Sequence, residues 1–254
     1  MNIATPPYFD RHLELAKWIA IGTMVVDHVG LLLFKDYLFL RLIGRLAFPL
    51  FCWIIALRLA EKPERSKAYM KRLFVWFLIS QLPFAIAFHS NPEGDILRSL
   101  GHTLNIMATL GVGVGIFHLL RRLQAGGSPA LWLGVLALLF IGGKCDYGVA
   151  GVAAIPILAL AAEMSLPASA ILAGFTGAAS NLLTVAVFYS LSKSEFYWQL
   201  VVFALLSGVI AFRCLESNTK IPRLPGWFFY AFYPLHITIL VAIVVARSAP
   251  PAHP

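Results

Sequence analysis

The sequence predicts an all-α fold, a polytopic membrane bundle of about nine transmembrane helices, and three observations carry that prediction. Of 254 residues, 59% are hydrophobic and only 13% are charged, and the mean hydropathy of +0.80 lies far above that of a soluble domain of this size. Apolar runs long enough to cross the hydrocarbon core recur along the whole length with short polar turns between them. This leaves no room for a soluble domain, so residues 1–254 are expected to form one integral-membrane domain. The basic residues, 20 Lys and Arg against 12 Asp and Glu, gather in the short loops, where orientation in a membrane accounts for them. That placement argues against a nucleic-acid partner and makes the lipid bilayer the expected surroundings.

The first span is expected over about residues 15–34 and contains Asp27 and His28. Asp10 and Glu14 precede its apolar run and no small-residue cleavage site follows, so it is expected to stay in the membrane rather than act as a cleaved signal. A tight turn at Lys35-Asp36 leads to span two, about 38–60, with Pro49 near its middle as an expected kink. The most basic loop follows, holding Arg58, Lys62, Arg65, Lys67, Lys71 and Arg72. Span three, about 73–88, carries Ser80, Gln81 and Pro83, and span four, about 103–120, begins near Asn105 and ends at Arg121-Arg122. Span five, about 130–141, is short and runs into Lys144-Cys145-Asp146-Tyr147-Gly148. Spans six and seven, about 149–162 and 168–189, are rich in Gly and Ala, which suits close helix packing. Span eight covers about 198–213, and span nine, about 227–246, contains Tyr230, Tyr233-Pro234 and His236.

Loop charge sets the orientation. A cytoplasmic N-terminus puts 13 of the 20 Lys and Arg inside, five outside (Lys35, Arg98, Lys144, Lys193 and Arg247) and two, Arg41 and Arg45, within the membrane. The three cysteines, Cys52, Cys145 and Cys214, are scattered without metal-type spacing and predict neither a disulfide framework nor a metal site.

Asp27, His28, Arg41 and Arg45 are the anomaly. Each charge near the bilayer centre costs roughly 2.5–3.5 kcal/mol on insertion scales, so such residues mark a functional site and take each other as partners. Arg41 and Arg45 are four apart and share a helix face, where they repel unless an anion lies beside them. Asp27 is the internal candidate for that anion and a ligand is the other. With the orientation above, His28, Arg41, Arg45, Gln81, Asn105 and the Asp146-Tyr147 turn fall in the outer half of the bilayer, with His236 near mid-depth. Polar groups from so many spans at similar depth imply an outward-facing cavity. A blander reading makes Asn105, Gln81, Tyr233 and His236 interhelical hydrogen-bond partners.

These residues also carry a family resemblance. Lys17-Trp18, Asp27-His28-Val29-Gly30 and Arg41-Leu42-Ile43-Gly44-Arg45 with Phe48-Pro49-Leu50-Phe51 resemble the TraX family of membrane pilin acetylases. The similarity continues through Tyr69 to Leu73, Ser80-Gln81-Leu82-Pro83, Asn105-Ile106, Asp146-Tyr147-Gly148 and Phe232-Tyr233-Pro234-Leu235-His236, which covers nearly the whole chain. The resemblance implies an acetyltransferase at the bacterial inner membrane that moves an acetyl group from cytoplasmic acetyl-CoA to an amine, the N-terminus of a pilin being the acceptor known for the family. The nucleotide is then expected among Lys67, Lys71, Arg72, Arg121 and Arg122. Lys17 to His28 is about 16 Å of helix at ~1.5 Å per residue, a distance that an extended pantetheine arm covers. His28 is a candidate general base, with His236 as the alternative base or a transient acyl carrier. One arginine or Asn105 is a candidate oxyanion donor. Asp146, Tyr147, Tyr233 and Gln81 are candidates for acceptor binding. An ion-coupled transporter also buries such charges, but no inverted repeat is visible in this sequence. A pilus-assembly scaffold without activity would need no buried charge cluster.

Overall fold

A computed structural model describes residues 9–34, 36–89, 100–188, 194–217, 219, 221–223 and 225–248. Lys35, Arg98, Lys193 and Lys220, which enter the charge count above, lie outside the described residues. Among the described residues the α-helices in order are α1 Phe9–Leu32, α2 Leu38–Gly44, α3 Ala47–Glu61, α4 Ser66–His89, α5 Ile106–Gln124, α6 Leu131–Gly142, α7 Gly148–Met164, α8 Leu166–Phe188, α9 Ser194–Glu216 and α10 Gly226–Ser248. Among the described residues there is no strand beyond one isolated bridge between Leu104 and Cys145. The protein is an all-helical, multi-pass membrane bundle, and among the described residues six stretches are long and apolar enough to span: Leu13–Leu32, Leu38–Glu61, Pro63–Phe88, Ile106–Gln124, Trp198–Glu216 and Gly226–Arg247. Large apolar side chains such as Leu133, Phe140, Phe175 and Trp198 point outward, as lipid permits and water does not.

The expected second span is two helices, α2 and α3, with the break at Arg45 and Leu46 rather than a kink at Pro49. Proline cannot donate to the carbonyl four residues before it, and its ring crowds that carbonyl. For Pro49 that carbonyl belongs to Arg45. Pro49 itself then sits in the first turn of α3, where a missing N–H costs little. The break therefore falls one turn earlier than the proline, and Arg45 is delivered at the joint.

Helix α3 is the central element. Phe48, Leu50, Cys52, Trp53, Ala56, Leu57 and Leu59 are all at most 2% exposed, and Trp53 donates its Nε1–H to Ser169 Oγ of α8 at 3.1 Å. The close approach expected of the Gly- and Ala-rich spans is realised chiefly between α8 and α9. There a Cβ on Gly208 would meet the carbonyl oxygens of Ala170 and Ile171 at 3.1 and 3.0 Å. Helix α5 starts at Ile106 because Asn105 caps it, its side-chain oxygen accepting from Met107 N at 2.9 Å.

Candidate active site

Helices α1 and α2 run side by side, and Gly44 lets them touch. A Cβ at Gly44 would overlap the Cβ, Cγ and Oδ1 atoms of Asp27, so only glycine leaves room for that carboxylate between the helices. Asp27 accepts from Arg45 Nη2 through both oxygens, at 3.0 and 3.1 Å, and forms an ion pair with Arg41 Nη1 at 3.0 Å. One carboxylate thus bridges both guanidinium groups, which resolves the repulsion expected between them. Arg45 is held further by Asn181 Oδ1 on α8 at 3.3 Å and by the carbonyl of Arg41 at 3.3 Å. Its engagement is nearly complete, whereas Arg41 meets Asp27 through one nitrogen and keeps a quarter of its side chain exposed.

His28 faces a different partner from its neighbour in sequence. Its Nδ1 lies 2.6 Å from Nε2 of His236 on α10, and His236 Nδ1 lies 2.8 Å from the carbonyl oxygen of Phe232. A carbonyl can only accept, so His236 carries its proton on Nδ1 and offers a lone pair at Nε2. His28 Nδ1–H must then donate to that lone pair. With Nδ1 engaged, Nε2 is the nitrogen of His28 at which a proton can be taken up or given back, the orientation logic of a base held by a second group. Phe88 and Tyr233 wall the His28 ring, with centroids at 5.4 and 6.2 Å. Arg41 and Arg45 lie within electrostatic reach of the same imidazole.

The Asp146-Tyr147 turn closes the other side. Tyr147 stacks on Phe48 of α3 at 3.8 Å between centroids, and Gly151, one turn into α7, provides the space for its Cβ. Asp146 is within electrostatic reach of Arg41, Arg45, Asp27 and Tyr233, and among the described residues its carboxylate makes no ion pair. Asp27, His28, Arg41, Arg45, Asp146, Tyr147, Tyr233 and His236 therefore converge from α1, α2, α10 and the α6–α7 turn.

Comparison with known proteins gives the chain a family. The family model described as TraX protein matches residues 12–244. The chain belongs to the TraX family. Protein TraX of Escherichia coli is 28% identical over 231 residues, which is 89% of this chain and 85% of that protein. The probable fimbrial assembly protein FimC, serogroup H1, of Dichelobacter nodosus is 30% identical over 237 residues, 88% of this chain and 92% of the relative. An uncharacterized protein, RP591, of Rickettsia prowazekii (strain Madrid E) shares 31% identity over 90 residues, about a third of each chain. No solved structure matches significantly.

Not every residue singled out in this TraX-family sequence joins the site. Asn105 is 0% exposed and fully engaged: its oxygen caps α5 and its amide nitrogen donates to Phe77 O at 3.2 Å and Ser80 Oγ at 3.1 Å. Gln81 donates to the carbonyls of Leu100 and Thr103 at 3.0 and 2.8 Å and accepts from Asn105 N at 3.0 Å. Both amides tie α4 to the start of α5, which is the interhelical reading, and neither has a donor left for an oxyanion or an acceptor. The five inner cations are dispersed. Arg121 pairs with Glu163 of α7 at 3.0 Å, Lys67 and Arg122 flank His118, which meets Ser66 Oγ at 2.9 Å, Lys71 is exposed, and Arg72 reaches Tyr230. Asn181 and Gly44, in contrast, were not legible as site residues. An Asn in an apolar span and a Gly between two arginines were the available signals.

Proposed function

We propose that this protein is an acetyl-CoA-dependent N-acetyltransferase of the bacterial inner membrane, its N-terminus cytoplasmic, that acetylates the amine of a pilin-type acceptor. The observation that carries the proposal is the His28–His236 contact, which engages Nδ1 of His28 and leaves Nε2 as its reactive nitrogen beside a two-arginine, one-carboxylate cluster. An assembly scaffold has no use for such a group. The relative named as a fimbrial assembly protein supports a pilus subunit as the acceptor.

In the reaction, Asp146 receives the acceptor ammonium and takes its first proton, with Tyr147 and Tyr233 lining the approach. The neutral amine attacks the thioester carbonyl carbon, forming the C–N bond, and one of its two remaining protons passes to His28 Nε2 while the other stays on the amide nitrogen. His28 Nδ1–H keeps its bond to His236, now charge-assisted, so the imidazolium is stabilised where it forms. Arg41 is the oxyanion donor of choice, because Arg45 and Asn105 are already engaged. The C–S bond then breaks, and His28 returns the proton to the departing thiolate. Asp27 acts one step back, by holding both arginines. The test is purified protein supplied with acetyl-CoA and a panel of pilin-type peptides. Free thiol and a peptide heavier by one acetyl group are expected, and both should disappear in His28→Ala. A folded protein that gains neither product with any amine, or an unaffected His28→Ala, refutes the proposal.

A further inference from the structure

A groove of about 420 Å³ lies between α1 and α9, at the end of the bundle where α9 terminates. Leu15 and Ile19 of α1 line one side, and Val209 and Ile210 of α9 line the other. Arg213, Glu216 and Ser217 line the part nearest the end of α9. Both helices belong to stretches long and apolar enough to span, so the groove adjoins lipid rather than water. Val209 is 58% exposed, which leaves the apolar part open from the side. An apolar hollow of this kind stays dry and takes up hydrocarbon.

Charge is ordered along the groove. Arg213 Nη1 meets Glu216 Oε2 at 3.1 Å, and the two side chains are 76% and 52% exposed. A pair three residues apart on a helix surface adds little to stability by itself. This one sits where α9 leaves its apolar stretch, and the cation lies deeper than the acid by three residues, about 4.5 Å of helical rise. Val209 and Ile210 lie about one turn deeper still. From the bilayer surface inward the groove therefore offers a carboxylate, a guanidinium and then apolar side chains. A phospholipid with an amino headgroup offers the complement in the same order: an ammonium outermost, a phosphate next and an acyl chain below.

We propose that this groove binds a zwitterionic phospholipid with a primary amine, of the phosphatidylethanolamine class. Arg213 donates to the phosphate, Glu216 accepts from the ammonium, and one acyl chain lies against Leu15, Ile19, Val209 and Ile210. A choline headgroup has no N–H to give Glu216, and a glycerol headgroup gains the arginine but brings no cation to the acid. With the N-terminus cytoplasmic, as proposed above, the lipid belongs to the inner leaflet. The site uses nothing of the His28–His236 pair, so it stands or falls apart from the acyl-transfer reading.

The experiment is native mass spectrometry of the full chain released from nanodiscs that hold equal parts of phosphatidylethanolamine, phosphatidylcholine and phosphatidylglycerol with matched chains. Wild type should retain one phosphatidylethanolamine, favoured about fivefold over each of the others. Val209→Trp, which sets an indole in the open side, should lose the retained lipid. Glu216→Gln should abolish the preference for ethanolamine over choline, and Arg213→Gln should weaken retention of all three lipids about fivefold. Val209, Arg213 and Glu216 are all exposed, so the folded bundle tolerates each change. The exchange R213E with E216R keeps an ion pair on the same turn but inverts its order, and the ethanolamine preference should vanish with it. A preference that survives the exchange reduces the pair to a helix-surface contact and overturns the proposal. So do the retention of no lipid, a preference for phosphatidylglycerol, and retention unmoved by Val209→Trp. A dimer mass in place of a lipid adduct assigns the groove to a second copy of the chain and overturns it as well.

Discussion

Replacing Gly44 with Ala is the sharpest perturbation of the site that leaves every charged group in place. The added Cβ would overlap three atoms of Asp27, and the atoms behind it are the backbone of α1 and the two guanidinium groups, so the carboxylate has to leave its position. Overpacking of this kind costs about 1–3 kcal/mol. Separating a buried charge from its partners costs about 3–5 kcal/mol when no new partner is found. The two are not additive, because the overlap is relieved by the very movement that breaks the pair, and a loss of about 3 kcal/mol follows. For a chain of this size that corresponds to about 6–12 °C in Tm. The protein carries its own reporter, since Cys52, Cys145 and Cys214 are free and buried, and a thiol-reactive dye reads unfolding in detergent directly. The pairing of G44A with Asp27→Gly isolates the cause. Removing the Cβ together with the carboxylate removes the overlap, so the double variant should lose no more than Asp27→Gly alone. A Tm of G44A within about 1 °C of wild type, or fully additive losses in the pair, contradicts the packing described here.

Other expectations follow from the same geometry. His236→Ala should fold but lower kcat for transfer by about 10²-fold in an acetylation assay, because His28 loses the group that fixes its tautomer. Retained kcat would show that His28 needs no orienting partner. Asn105→Ala should lose the cap of α5 and its two donated bonds, lowering stability by about 1–2 kcal/mol in the dye assay. Transfer per folded molecule should stay near wild type, and a selective loss of kcat would return Asn105 to the oxyanion role. Asn181→Leu should lower stability by about 1–3 kcal/mol through the unmatched Arg45 nitrogen, and Asn181→Gln should recover part of it.

How much of this was legible in the sequence depends on the range of the interaction. Hydropathy is additive along the chain, so the bundle and most helix limits follow from composition. Buried charge is expensive enough that Asp27, His28, Arg41 and Arg45 announce themselves without neighbours. The break at Arg45 was misplaced by one turn because a proline acts on the carbonyl four residues behind it and not on its own position. Which amide is framework and which is site could not be read at all. Asn105 and Asn181 look alike in an apolar context, and only the positions of Phe77, Ser80 and Arg45 separate them. The inner cations show the same limit: loop arginines such as Arg121 and Arg122 are prominent in the sequence, but that Arg121 pairs with Glu163 while Lys67 and Arg122 lie beside His118 appears only once the helices pack.

The most direct measurement is a single-turnover experiment on oriented proteoliposomes, with labelled acetyl-CoA offered only at the cytoplasmic face and a pilin-type peptide amine offered only at the other. Label on the peptide from wild type, and none from His28→Ala of equal Tm, is the predicted result. Label that never crosses to the peptide, or crosses equally well without the His28 imidazole, contradicts an acyl-transfer centre at the His28–His236 pair.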